Sequence, residues 1–220
     1  MHQTVQNLYN IQNKINSKIN EYNYKDYIPK IIAVSKTFKL NHISPLIESG
    51  HIHFGENKVQ EAVEKWSEIK SVNDKIQLHM LGKLQTNKVK LALKIFNYIH
   101  SVDNIKLATK ISDEQKKYNN KPKIFIQINI GDEQQKSGID KKEFPNFYES
   151  CKNLDLDIIG TMCIPPENLD PEIYFSEIQK LNNELQLNEL SMGMSSDYLY
   201  AIKYKSTFLR IGTSIFGKRT

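Results

Sequence analysis

Lys36 ends the apolar run Ile31-Ile32-Ala33-Val34-Ser35, and two turns of small residues lie far along the chain. They are Ser191-Met192-Gly193-Met194-Ser195 and Arg210-Ile211-Gly212-Thr213. An amine at the end of a dry strand loses hydration, which favours its neutral form and makes it a nucleophile toward a carbonyl. A lone lysine has a plainer alternative, snorkelling from the strand end into water. The small residues of the two turns let backbone N–H groups approach an anion, and helix starts after Ser195 and Thr213 add positive dipole ends. The plainer alternative there is that the glycines serve tight turns. The amine and the anion cradle form one site only if the fold brings them together.

The elements that must do so run in single file. Val5, Leu8, Ile11, Ile15, Ile19 and Tyr22 recur at threes and fours, so the chain opens with an amphipathic helix. The run at 30–35 reads as a buried parallel strand, and the helix over 40–48 stops at Gly50. Further strands are expected at 53–55, 77–81, 98–102, 123–130, 156–164, 189–192 and 208–211. Helical stretches follow each of them, the last a turn near Ser214. Asn57-x-x-Gln60 makes a capping box for the second of these helices, and Asp103 caps the one after strand four. Along 123–130, Ile124, Ile126, Ile128 and Ile130 share one face. Phe125, Gln127 and Asn129 take the other, which points inward in a small barrel.

Eight strands, each followed by a helix, predict an α/β chain folded as a single (β/α)8 TIM barrel, one domain over 1–220. The extra N-terminal helix is expected to plug the bottom face. An open doubly wound sheet is the alternative architecture. At 220 residues, 39% hydrophobic and 25% charged, the chain has the composition of a soluble globular protein. The net charge of +5 comes from scattered lysines with no basic run, which gives no footprint for nucleic acid. No apolar stretch approaches the length of a membrane span or a signal core. Cys151 and Cys163 lack metal-ligand spacing, so a reduced, cytoplasmic protein without metal is expected.

A barrel closes strand one against strand eight and so sets Lys36 beside Arg210-Ile211-Gly212. A lysine nucleophile next to a phosphate cradle is what pyridoxal 5′-phosphate demands. Arg210 would then face the pyridine nitrogen. A guanidinium cannot accept a proton, so that nitrogen would stay unprotonated and the ring would be a weaker electron sink.

Six stretches carry a family resemblance: IIAVSKT (31–37), FGENKVQEAVEKW (54–66), HMLGKLQTNK (79–88), IQINIGDEQQKSG (126–138), SMGMSSDYLYAI (191–202) and STFLRIGTSIFGKR (206–219). In these the chain resembles the YggS/PROSC family of pyridoxal phosphate homeostasis proteins. The resemblance implies a monomeric barrel of the alanine-racemase N-domain type, with Lys36 as the Schiff-base lysine. It also implies Ser195, Gly212 and Thr213 around the phosphate, Arg210 at the ring nitrogen, Asn57 beside the cofactor, and Met194 as a further cofactor-binding residue. Lys83, Gln85, Asn87 and Lys88 would line the mouth; a solvated helix start is their alternative. Two positions depart from the family pattern: Lys205 stands where glycine is usual, and Thr161 where leucine is usual.

Two function classes follow. One is a carrier that binds the cofactor for intracellular homeostasis and delivers it, with pyridoxal phosphate-dependent apoenzymes as recipients and no catalytic residue of its own. The other is an amino-acid racemase, which needs a second acid–base group opposite the lysine. The chain stops soon after its phosphate motif, where racemases continue into a further domain. Tyr198, Tyr200 and Tyr204 are candidate substitutes for that group, but helix packing accounts for them. The carrier is therefore the expectation.

Overall fold

The computed structural model describes residues 1–118, 120–133, 135 and 137–218. Gln134, Lys136 and Arg219 of the motifs above lie outside the described residues. The apolar runs become β1 (Lys30–Val34), β2 (His53–Glu56), β3 (Gln77–Met80), β4 (Tyr98–Val102), β5 (Lys123–Ile128), β6 (Asp157–Cys163), β7 (Glu189–Met194) and β8 (Phe208–Ile211). Each pairs in parallel with the next, and β1 pairs with β8, so among the described residues the sheet is a closed eight-stranded barrel. This is the TIM barrel expected, not the open sheet. At the closing seam Ile32 lies opposite Arg210 and Ala33 opposite Ile211.

Period-two alternation sorts the side chains. Ile32, Val34, Tyr98, Phe125, Met162 and Phe208 pack together inside the barrel. Ile31, Ala33, Ile124, Ile126, Leu209 and Ile211 join the larger core beneath the helices. Those helices are α1 (Gln3–Glu21), α2 (Leu40–Glu48), α3 (Val59–Val72), α4 (Val89–Ala92), α5 (Ile105–Tyr118), α6 (Phe144–Asn153), α7 (Pro171–Glu184), α8 (Tyr198–Lys203) and α9 (Thr213–Phe216). Fully buried Trp66 of α3 packs on Phe54 of β2, with ring centroids 4.7 Å apart.

Several local expectations are corrected. The N-terminal helix does not plug the bottom. The helix after β8 is a single turn, too short to complete the outer layer, and α1 packs instead against α2, α8 and α9 with Ile11 and Ile15 buried. Asn57 does not cap α3: Lys58 holds the N-cap position and no side chain caps there. Asn104 rather than Asp103 caps α5, its Oδ1 accepting the Leu107 N–H at 2.9 Å. Asp103 Oδ2 accepts instead from the Gly138 N–H. The helical stretch expected after the third strand is a 3₁₀ turn, Thr86–Lys88, followed by the short α4. Lys205 takes the left-handed conformation that glycine usually supplies, with φ +52°, and its ammonium sits over the Tyr24 ring. Thr161 faces α7, where its hydroxyl donates to Asn182 Oδ1.

Candidate functional site

Inward alternation along β1 places Ile32, Val34 and then Lys36 on the barrel side, so the lysine emerges at the carboxyl end of the strand. There it lines a cavity of about 300 Å³. All seven residues singled out from the sequence line it: Lys36, Asn57, Met194, Ser195, Arg210, Gly212 and Thr213. The apolar wall is Val34, Leu81, Met162 and Ile164. Of these, Leu81, Met162 and Ile164 were not anticipated. Their signal was available in their places at or just past the ends of β3 and β6, where barrels build their sites.

Asn57 reaches the cavity because two turns interlock. A Cβ on Gly82 would lie 2.3 Å from the Asn57 carbonyl oxygen, so only glycine lets the turn after β3 pack against the turn after β2. Gly193 has φ +89°, and a Cβ there would also collide with Ala201 of α8, so this glycine serves backbone and packing. Gly212 is different. Its φ is −112°, and an added Cβ would rest against Val34 at ordinary contact distance, so its lack of a side chain mainly leaves room beside Val34 at the cavity wall.

The donors at that end converge. The Gly212 and Ser214 N–H groups both point at Ser195 Oγ, each at 3.3 Å. Asp197 ties the adjoining turn by accepting the Met194 N–H at 2.5 Å. With only one turn in α9, its dipole adds little, and the individual N–H groups are what an anion would meet.

Arg210 is buried and held at three points. Nη1 donates to Ser191 O at 2.5 Å and Ser191 Oγ at 2.8 Å, and Nη2 donates to Cys163 O at 2.8 Å. Burial pushes its pKa below the ordinary value, yet a guanidinium keeps its proton at neutral pH. Its Nε–H and one Nη2–H are left over from these contacts, as a ring-nitrogen acceptor would require. An amine, converging N–H groups and a fixed guanidinium thus share one cavity, and this donor set fits pyridoxal phosphate. Burial raises the Cys163 thiol to about 12, so it is not a competing nucleophile.

The sequence matches the family described as alanine racemase, N-terminal domain, over residues 8–220. It is 36% identical over 225 residues to the pyridoxal phosphate homeostasis protein of Pasteurella multocida, covering 97% of both chains. With that of Haemophilus influenzae it shares 38% over 97% of this chain and 94% of the relative. The chain belongs to the pyridoxal phosphate homeostasis protein family. PipY of Synechococcus elongatus, solved with pyridoxal phosphate bound, is 32% identical with a TM-score of 0.77, covering 92% of this chain and all of PipY. Alanine racemase of Clostridium difficile shares the fold at 15% identity and a TM-score of 0.74, and this chain covers 57% of it. The curated relatives carry the name of a homeostasis protein rather than of an enzyme.

Within this family member the remaining candidates separate. Lys83 lies with Asn57, Gln127 and Asn129 along a neighbouring cavity, and Gln85 and Lys88 along another with Lys83. Asn87 faces a groove beside α5. None of the four lines the Lys36 cavity. Tyr198 packs in the outer core, Tyr204 donates to Glu172 Oε2 at 3.0 Å, and Tyr200 is exposed, so packing explains two of the three. No tyrosine of α8 lines the cavity. The sequence reading also missed the column behind Arg210. Ser191 Oγ lies 2.8 Å from His100 Nδ1, His100 Nε2 lies 2.9 Å from His79 Nδ1, and His79 Nε2 lies 3.0 Å from His53 Nδ1.

Proposed function

We propose that this chain holds pyridoxal 5′-phosphate as a Schiff base on Lys36. In this reading it serves cytoplasmic vitamin B6 homeostasis, storing the cofactor and delivering it to apoenzymes as a single-domain monomer without turning over a substrate. The observation that carries the reading is the meeting of Lys36, Arg210, Gly212 and Ser195 around one cavity of about 300 Å³, with the Gly212 and Ser214 N–H groups converging on Ser195 Oγ. The family names and the pyridoxal phosphate bound to PipY support it.

When bound, the cofactor supplies an aldehyde that combines reversibly with primary amines. The chain's residues do the rest. Lys36 offers the amine, while Ser195, Gly212, Thr213 and Ser214 supply hydroxyl and N–H donors to a phosphate. Arg210 would offer its remaining N–H donors to the ring nitrogen, and a guanidinium would leave that nitrogen unprotonated. Asn57 and Met194 would add contacts to the cofactor from the cavity wall, and Leu81, Met162 and Ile164 would keep water from it. Among the described residues lining the cavity, Lys36 and Arg210 are the ones that titrate, which favours holding over racemising.

Purified protein is titrated with pyridoxal phosphate and followed by visible absorbance, then reduced with borohydride and mapped by peptide mass. The adduct is expected on Lys36, and Lys36→Ala should lose the absorbance. An adduct on Lys83 or Lys88 would overturn the assignment.

A further inference from the structure

We infer that Glu61 is a positioning residue for Lys36, holding the backbone just after it in a disfavoured conformation and so aiming the amine into the cavity. The functional half of this rests on the reading of Lys36 given above; the conformational half does not.

Thr37 follows Lys36 directly and has φ +68°. A β-branched residue there is an outlier, because its Cβ crowds the neighbouring carbonyl, and surrounding contacts must over-determine it. The contact present is short: the Thr37 N–H donates to Glu61 Oε1 at 2.5 Å. Glu61 is itself fixed, since Lys65 Nζ donates to its Oε1 at 3.0 Å. The same ammonium donates to Ser35 O and to Glu56 Oε1, both at 2.9 Å. Fully buried Glu56 also accepts from Ser35 Oγ at 2.7 Å and from Trp66 Nε1 at 2.9 Å. The residues on both sides of Lys36 are therefore tied to α3 and the end of β2 through one hydrogen-bonded charge network.

The direction of the chain shows why the tie is needed. Just past the end of β1 the Ser35 N–H still donates to Gly55 O at 2.9 Å, which carries the inward phase of Ile32 and Val34 on to Lys36. The backbone must then turn at once toward Phe38, whose ring stacks on Phe216 of α9 at 4.9 Å. The left-handed Thr37 makes that turn. Burial alone would raise the Glu61 carboxyl, but the Thr37 N–H and Lys65 outweigh it and hold it below its ordinary value, so the acceptor is charged at neutral pH.

The first test needs no cofactor. In the apo full-length chain, Glu61→Ala should speed exchange of the Thr37 amide about tenfold or more, the loss of one hydrogen bond to a charged acceptor. Glu61→Met, which keeps bulk and helix propensity but offers no oxygen, should match it and stands in if the alanine variant does not fold. Glu61→Gln retains an acceptor and should keep most of the protection. Unchanged exchange in the alanine or methionine variant would overturn the inference. The second test is the rate of loading with pyridoxal phosphate, expected to fall about tenfold in Glu61→Ala because a misaimed group reacts slowly. In a Thr37→Gly background, where positive φ is freely adopted, the loss should shrink to about threefold or less. An equal loss in both backgrounds would show that Glu61 acts by other means and overturn its positioning role. If the parent forms no adduct on Lys36, the cofactor reading fails, and the Thr37 exchange result alone decides the part played by Glu61.

Discussion

Arg210 constrains what the cavity can accept more than any other side chain, because its own surroundings are acceptors. The carbonyls of Ser191 and Cys163 take three of its N–H bonds together with Ser191 Oγ, and among the described residues no carboxylate hydrogen-bonds to it. Arg210→Glu would leave those carbonyls without donors and set a carboxylate against them. Breaking such a buried charged contact typically costs about 3–5 kcal/mol, so a marked fall in the urea midpoint is expected. The visible spectrum of the loaded variant should also change, since a carboxyl can share a proton with a ring nitrogen and a guanidinium cannot. Arg210→Lys, also destabilised but still a cation, separates the two effects and should keep the parent spectrum. A parental spectrum in Arg210→Glu would place Arg210 away from the ring. At this scale the sequence was informative wherever a residue stood at a strand's carboxyl end, as Lys36 and Gly212 do. It was silent on Thr37, because nothing in a threonine announces positive φ, and it left Asn57 between two places, because Asn57-x-x-Gln60 is also how a cap is spelled.

The elements follow the same division. Alternation along β5 separated Phe125 from Ile124 and Ile126 correctly, since inside and outside differ by one residue of phase. The place of α1 was not legible, because it depends on how little of the outer layer α9 fills, and its amphipathic stripe would suit any apolar groove. The histidine column was hidden for a related reason: His53, His79 and His100 lie on three strands, and only closure of the barrel lines them up. Burial drives their acidity. His79 and His100 lie well below the usual imidazole range, and burial lowers both His53 and neighbouring His51 to about 4. His51 and His53 are neutral when folded and bind a proton on unfolding between about 4 and 6.5, so the unfolded state holds more protons there, and His79 and His100 act in the same sense. Stability contributed by His51 and His53 is complete above pH 6.5 and is lost as pH falls toward 4. Each histidine adds a slope of about 1.4 kcal/mol per pH unit inside that window. Urea midpoints measured from pH 7.5 down to 4.5 should fall steeply, and His53→Gln should flatten the curve. A flat profile in the parent would mean that the column's histidines titrate alike in the folded and unfolded states.

The whole molecule decides between carrier and racemase, since the barrel is common to both and the fold alone favours neither. Racemisation needs proton traffic on both faces of a substrate Cα. Among the described residues lining the Lys36 cavity the ionisable ones are Lys36 and Arg210, and Arg210 cannot release its proton. The α8 tyrosines, which might have served the opposite face, lie on the outer side among α1, α7 and the solvent, where Tyr198 and Tyr200 border a separate groove with α1. Absence of one positioned acid–base group typically costs about 10²–10⁴-fold in rate. Incubating the loaded protein with L-alanine in D₂O reads this out directly. Slow exchange of the Cα proton with configuration retained is expected, because one lysine serves one face. D-alanine formed at an ordinary enzymatic rate, about 1–10³ per second, would overturn the carrier reading. Tyr198→Phe and Tyr200→Phe would then show whether α8 moves inward on loading: a variant that lost D-alanine while still binding the cofactor would identify the missing base.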